Sequence, residues 1–196
     1  MRQSEAFLNG EGDNWYERNK HTELNRTVVD TILAAVPSAN RSIEFGCGNG
    51  RYIGELHRHL GGRSFGVDPS YKALEQGRQD YPQVIFLQGT TSLLPYTGGK
   101  LDLILFGFCL YVEDRDRLLY TVANADRHLS DGGHIAIYDF DPEHPEKVPY
   151  KHVHGMFTYK MDYAALWLAN PTYRLINKTI IREGEAVSVI KKVGWP

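Results

Sequence analysis

The 196 residues, 42% hydrophobic and 23% charged, suffice for one globular domain with a substantial apolar core, and a net charge of −2 leaves no electrostatic footprint for nucleic acid. The longest apolar run, 103–112, is too short to cross a bilayer, and the first thirty residues are polar with no apolar signal core, so neither a membrane partner nor a secretory signal is expected. Two cysteines, Cys47 and Cys109, have neither zinc spacing nor disulfide density, which points to a reducing cytoplasm.

Residues 1–21, with Trp15 and Tyr16 in a stretch rich in glycine, acid and asparagine, show no clear period. Leu24, Val28, Ile32 and Val36, with Val29 and Leu33 beside them, form a helical stripe that stops at Pro37. A strand is expected over 41–46, a helix over 51–60 closed by Gly61 and Gly62, a strand over 64–67, a helix over 71–80 ahead of Pro82, and a strand over 84–87 followed by a turn over 89–95. The next strand, 101–108, is almost continuously apolar, as a parallel strand covered on both faces should be. Asp102 at its start reads as structural. Asp114 is placed to cap a helix whose Leu118, Leu119, Val122, Ala125 and Leu129 face the sheet, and 131–133 turn into a strand over 134–138. Residues 139–158, rich in proline, histidine and aromatics, predict a long loop over a cleft. A short helix over 162–169 follows, and the alternating runs 173–181 and 186–193 predict an antiparallel hairpin. Strands alternating with helices make this an α/β chain, read as a single domain over 1–196.

The segment Glu44-Phe-Gly-Cys-Gly-Asn-Gly50 carries most of the functional signal. It reads as a strand running into a glycine loop and a helix, with Asp68 at the end of the next strand. Glycines there bring backbone amides close to a ligand at a helix N-terminus, and an acid roughly 20 residues on can take a ribose diol. Dinucleotides and S-adenosylmethionine both use this layout. The dinucleotide string G-x-G-x-x-G is broken, because Arg51 stands where its third glycine belongs. An acidic residue beside the loop also suits an ammonium group better than a pyrophosphate.

The string E-F-G-C-G-N-G resembles motif I of the class I S-adenosylmethionine-dependent methyltransferases. The likeness extends to Asp68, to 88–95, to 101–112 and to the order of elements. It implies a Rossmann-like, seven-stranded, mostly parallel sheet with a C-terminal antiparallel hairpin. It also implies that S-adenosylmethionine is held by Glu44, Gly46, Cys47, Gly48, Asp68, Pro69, Thr90, Thr91 and Phe106, with Tyr16 in a lid formed by residues 1–21. Cys47 would offer its backbone, not a nucleophile. In many relatives an acidic residue near the adenine amino group stands at the position of Thr90, so here adenine selection would rest on the threonine hydroxyl, neighbouring amides and packing by Tyr71 or Leu93.

A sulfonium methyl is already activated, so alignment of the acceptor is the chain's main task. A neutral amine attacks unaided; a hydroxyl needs a base, for which His152, His154 and Asp139 are the candidates, with Asp141 beside them, in a substrate-side insertion over 139–170. If that segment is extended, His152 and His154 share one face. They lack a partner carboxylate at metal-binding spacing, and no metal is expected. His57 and His59, two apart on a helix, cannot face one ligand. Residues 14–19, 159–163 and 168–171 are similar to small bacterial methyltransferases of surface-sugar pathways, including pseudaminic-acid-associated methylases, which implies a small-molecule acceptor of the sugar or sugar-nucleotide kind. A catalytically silent S-adenosylmethionine-binding subunit and an NAD(P)-dependent oxidoreductase are the alternatives, and oligomeric state is left open.

Overall fold

In the computed structural model, which describes residues 2–92 and 98–195, five strands run parallel: β1 (Arg41–Phe45), β2 (Arg63–Asp68), β3 (Val84–Gln88), β4 (Leu101–Gly107) and β5 (Leu129–Phe140). A ribbon of β6 (Glu146–Pro149) and β7 (Phe157–Lys160) stands apart from the sheet. The final hairpin, β8 (Tyr173–Arg182) and β9 (Glu185–Lys192), completes a seven-stranded sheet in the order β3-β2-β1-β4-β5-β9-β8, with β9 antiparallel to both neighbours. The order reverses between β1 and β4. Chain connections diverge there and leave a crevice beyond the strand ends, the place where open α/β sheets bind ligands.

The helices are α1 (Gln3–Ala6), α2 (Gly12–Asn19), α3 (Arg26–Ala35), α4 (Arg51–Leu60), α5 (Tyr71–Asp80), α6 (Leu118–His128) and α7 (Ala164–Leu168). Alternation along β4 divides the core. Leu103 and Leu105 pack with Val28, Val29 and Ile32 of α3 and Leu56 of α4, whereas Ile104 and Phe106 face Leu118 and Ala125 of α6 and Trp167 of α7. Polar side chains at the starts of two helices fix their entry: Asn25 accepts from the Thr27 nitrogen at 3.1 Å, and the Ser70 hydroxyl accepts from that of Ala73 at 3.1 Å. Asp102 accepts from the backbone nitrogens of Asn40 (2.9 Å) and Arg41 (3.1 Å), tying β4 to the start of β1.

Several segments differ from the expectations: Leu119 is 71% exposed instead of facing the sheet, and 131–133 lie inside β5, which starts at Leu129. Residues 3–19 are helical, with α1 and α2 joined across a kinked turn at Gly10 (φ 123°). Their polar sequence carries no stripe because their order comes from partners distant in the chain. Asp114 is one of these: its carboxylate accepts from the backbone nitrogens of Gln3 (2.8 Å) and Ser4 (3.1 Å), so it caps α1, and α6 begins only at Leu118. Residues 139–158 are not one long loop. β5 runs on to Phe140, and the chain then pairs Val148 with Thr158 across the ribbon, where Lys147 sits 4.0 Å from the Phe157 ring. Proline at 142, 145 and 149 obscures these short strands in the sequence.

Candidate active site

Beyond β1 the backbone passes through Gly46, Gly48 and Gly50, all with positive φ. At Gly46 the reason is crowding. A Cβ there would lie 2.5 Å from the Gly107 carbonyl oxygen and 2.7 Å from Cys109 Cβ, where the ends of β1 and β4 meet. Gly48 (φ 53°) is different, since a Cβ there would meet nothing within 4 Å and would project into open space. The loop is pinned by Asp68, whose Oδ2 accepts from the Gly48 nitrogen and whose Oδ1 accepts from that of Ser70, each at 2.8 Å. Burial pushes the Asp68 carboxyl up to about 6. Glu44, 1% exposed, accepts from the Ile53 nitrogen at 2.9 Å through Oε2, while Oε1 has no partner, and burial holds its carboxyl well above the usual range.

Two adjoining cavities occupy the crevice. The first is walled by Asp68, Pro69, Thr90 and Thr91 on the sheet side and by Phe7 and Trp15 above. The second, about 430 Å³, has Glu44, Gly46, Cys47 and Gly48 at its base and Tyr16, Tyr52, Tyr138 and Arg182 around it. Trp15, Gly46 and Phe108 line both. Phe108 (φ 46°) is the sole non-glycine residue with positive φ among the described residues.

Residues 3–19 roof both cavities and are fastened on two sides. Asp13 accepts from the Ser70 hydroxyl (2.7 Å) and the Lys72 nitrogen (3.1 Å) at the start of α5. On the other side the Tyr150 hydroxyl donates to Glu11 at 2.6 Å, Arg18 donates to the same oxygen at 2.5 Å, and Gln3 accepts from the Phe157 nitrogen at 2.8 Å. The 139–170 segment therefore braces the roof and does not line the second cavity.

Glu44, Gly46, Cys47, Gly48, Asp68, Pro69, Thr90, Thr91 and Tyr16 thus face the cavities. Phe106 does not. It is 1% exposed and packs against Phe45 and Trp167, each with ring centroids 5.4 Å away, because alternation along β4 turns it into the core below α7. Phe108, two residues on, takes the cavity position. Asp139 also lies outside both cavities: 1% exposed, it accepts from the backbone nitrogens of Leu110 (3.0 Å) and Phe140 (2.8 Å), and burial raises its carboxyl to about 7. It anchors the turn after β4 and is shut off from an acceptor. His152 and His154 are exposed at the turn between β6 and β7, where Tyr150 and Met156 close a backbone hydrogen bond, so the segment between is bent instead of extended. Asp141 pairs with Lys178 at 2.8 Å. Tyr71 is 52% exposed and lines neither cavity, and Leu93 lies outside the described residues. Sequence reasoning missed Phe7, Phe108, Tyr138 and Arg182. Phe108 and Tyr138 had a signal, their places at the carboxyl ends of the expected strands 101–108 and 134–138. No group of three metal-ligating side chains is assembled among the described residues, and no described helix is long and apolar enough to cross a membrane.

The sheet order, the single antiparallel strand and a glycine loop answered by an acid at the end of the next strand define a Rossmann-like methyltransferase fold. Residues 43–133 match the family model described as a methyltransferase domain. An uncharacterized methyltransferase of Synechocystis sp. is 28% identical over 105 residues, which are 54% of this chain and 49%, about half, of that protein. The structure of a Burkholderia thailandensis 1,6-didemethyltoxoflavin-N1-methyltransferase with bound S-adenosylhomocysteine superposes with a TM-score of 0.80 at 17% identity, covering 97% of this chain and 89% of that one. A TehB-like S-adenosylmethionine-dependent methyltransferase of Corynebacterium glutamicum gives 0.64 at 20% identity, covering 96% and 99%. The chain thus has the fold of the class I S-adenosylmethionine-dependent methyltransferases, and its residues 43–133 match a methyltransferase domain.

Proposed function

We propose that the protein transfers a methyl group from S-adenosylmethionine to a small-molecule acceptor, and that the acceptor atom is an amine, with amino sugars and their nucleotides the first candidates. The observation that carries this reading is the convergence of Glu44, the glycine loop and Asp68 on one crevice at the reversal of strand order. The residues fit the cofactor. Glu44 Oε1, buried without a partner, is an acceptor for an ammonium group, Gly48 leaves room for close backbone approach, and Asp68 is an acceptor for ribose hydroxyls. When bound, S-adenosylmethionine supplies a methyl group activated by its sulfonium.

The chain's own contribution is alignment and exclusion of water. Trp15 and Phe108, shared by the two cavities, stand between the Asp68 side and the Glu44 side of the crevice. Around the second cavity, burial raises the phenols of both Tyr52 and Tyr138, so neither takes a proton readily near neutrality, and no histidine is among its described lining residues. Glu23, the one described carboxylate lining this cavity besides Glu44, is the remaining candidate base for a hydroxyl acceptor, whereas an amine needs none. Arg51 and Arg182 add positive charge complementary to a phosphate or carboxylate of the acceptor. The N1-methyltransferase name of the Burkholderia neighbour accords with a nitrogen acceptor.

The test is calorimetric titration with S-adenosylhomocysteine followed by a turnover screen of amine- and hydroxyl-bearing sugar nucleotides with labelled cofactor. Binding and transfer to an amine are expected. Absence of binding removes the cofactor reading, and transfer confined to hydroxyl acceptors removes the preference for nitrogen.

A further inference from the structure

We propose that Glu113 reads the adenine ring of the cofactor, accepting from its exocyclic amine and donating to a neighbouring ring nitrogen. This rests on the S-adenosylmethionine reading and adds a residue from the turn after β4 to it. Glu113 lines the same cavity as Asp68, Pro69, Thr90 and Thr91, is 5% exposed, and its Oε1 has no hydrogen-bond partner. A buried acid left unpaired facing a cavity is costly without a ligand, and among the described lining residues it is the one acid besides Asp68, whose two oxygens already hold the Gly48 and Ser70 nitrogens.

The backbone holds this side chain in place. The Glu113 nitrogen donates to Leu110 O at 3.1 Å, and the Arg115 guanidinium donates to the carbonyls of both Glu113 and Leu110 at 2.7 Å. The surrounding charges are of both signs. Asp114 is bound to Gln3 and Ser4, Asp116 pairs with Arg2 at 3.1 Å, and Asp68 lines the same cavity; Arg115, 4.4 Å from the Tyr159 ring, and then Arg117 lower the carboxyl, but less than burial and Asp114 raise it. Burial, then Asp114, push Glu113 up to about 8, so near neutrality it carries its proton. A neutral carboxyl presents one donor beside one acceptor, which is the complement of adenine's amino edge, and a glutamine amide presents the same pair.

The experiment titrates the full chain with S-adenosylhomocysteine and with its analogue lacking the 6-amino group. Wild type should bind the analogue about tenfold more weakly, E113Q should stay within about threefold of wild type for both, and E113L should lose about tenfold for the parent ligand while no longer distinguishing the two. Wild-type affinity should also fall above about pH 8 as the donor is lost, a decline absent from E113Q. Wild type that binds neither ligand overturns the cofactor reading itself. Wild-type binding with E113L still separating the ligands, or with E113Q as weak as E113L, overturns the Glu113 assignment alone.

Discussion

The Gly48 nitrogen and the Asp68 carboxylate are joined by a 2.8 Å hydrogen bond across twenty residues of chain, while the other Asp68 oxygen holds the Ser70 nitrogen. One side chain therefore shapes the glycine loop, starts α5 and faces the ligand cavity. Asp68→Ala removes two charge-assisted bonds, worth roughly 1.5–3 kcal/mol each, together with any bond to ribose. The expected result is a lower melting temperature and at least tenfold weaker S-adenosylhomocysteine binding. An affinity change below about threefold, read by calorimetry, would place the ribose elsewhere.

The loop glycines separate into two kinds, and substitution tells them apart. Gly48→Ala puts a methyl group into empty space at φ 53°, a left-handed strain of roughly 1–2 kcal/mol, so the chain should fold and lose ligand affinity. Gly46→Ala forces a Cβ to 2.5 Å from the Gly107 carbonyl and should yield little folded protein. A Gly46→Ala chain as stable as wild type would contradict the close approach of β1 and β4.

His152 and His154 sit exposed at the ribbon's turn, away from both cavities. Replacing both by alanine should leave cofactor binding and turnover within about twofold of wild type, because surface substitutions free of such contacts have small effects. A loss of about a hundredfold in turnover with unchanged binding would return general-base catalysis to this segment.

Much of the molecule was legible from local pattern. α4 and α5 fall on the expected 51–60 and 71–80, and the glycine loop and Asp68 stand together at the switch point. Information that lives in tertiary contacts was not legible. The roof owes its helices to Asp114, Ser70 and Tyr150, none of them near it in sequence. Phe106 was misplaced because a strand apolar on both faces hides which face each residue takes, and Asp139 because nothing local reveals that backbone amides surround its carboxylate. The second cavity combines the end of β8, the end of β5 and the start of α4 through Arg182, Tyr138 and Tyr52, residues no spacing rule connects.

Tyr150 and Glu11 hold the roof to the ribbon through a buried 2.6 Å bond shared with Arg18. Tyr150→Phe removes this donor and leaves the ring's packing against Phe7 in place. The roof should open more often, and stopped-flow displacement should show S-adenosylhomocysteine leaving several-fold faster with a smaller change in stability. An unchanged off-rate would mean the ligand enters without moving α2.

Buried carboxyls make the ligand-free protein weaken toward alkaline pH. Asp139 is raised to about 7 and Glu113 to about 8, against roughly 4 for such groups in an unfolded chain. Between those values the folded state binds more protons than the unfolded one, so their contribution is full below about pH 4 and is lost as pH rises through 7 and 8. His134 opposes this: burial lowers it, so it favours the folded state increasingly up to about pH 6.5 and is silent above. Melting temperature should therefore fall between about pH 6.5 and 8.5, at up to roughly 1.4 kcal/mol per pH unit for each group still protonated. Glu113→Gln should make the decline shallower, since the amide does not ionise. A melting temperature that rises across this range would show that these two carboxyls are ionised in the folded protein.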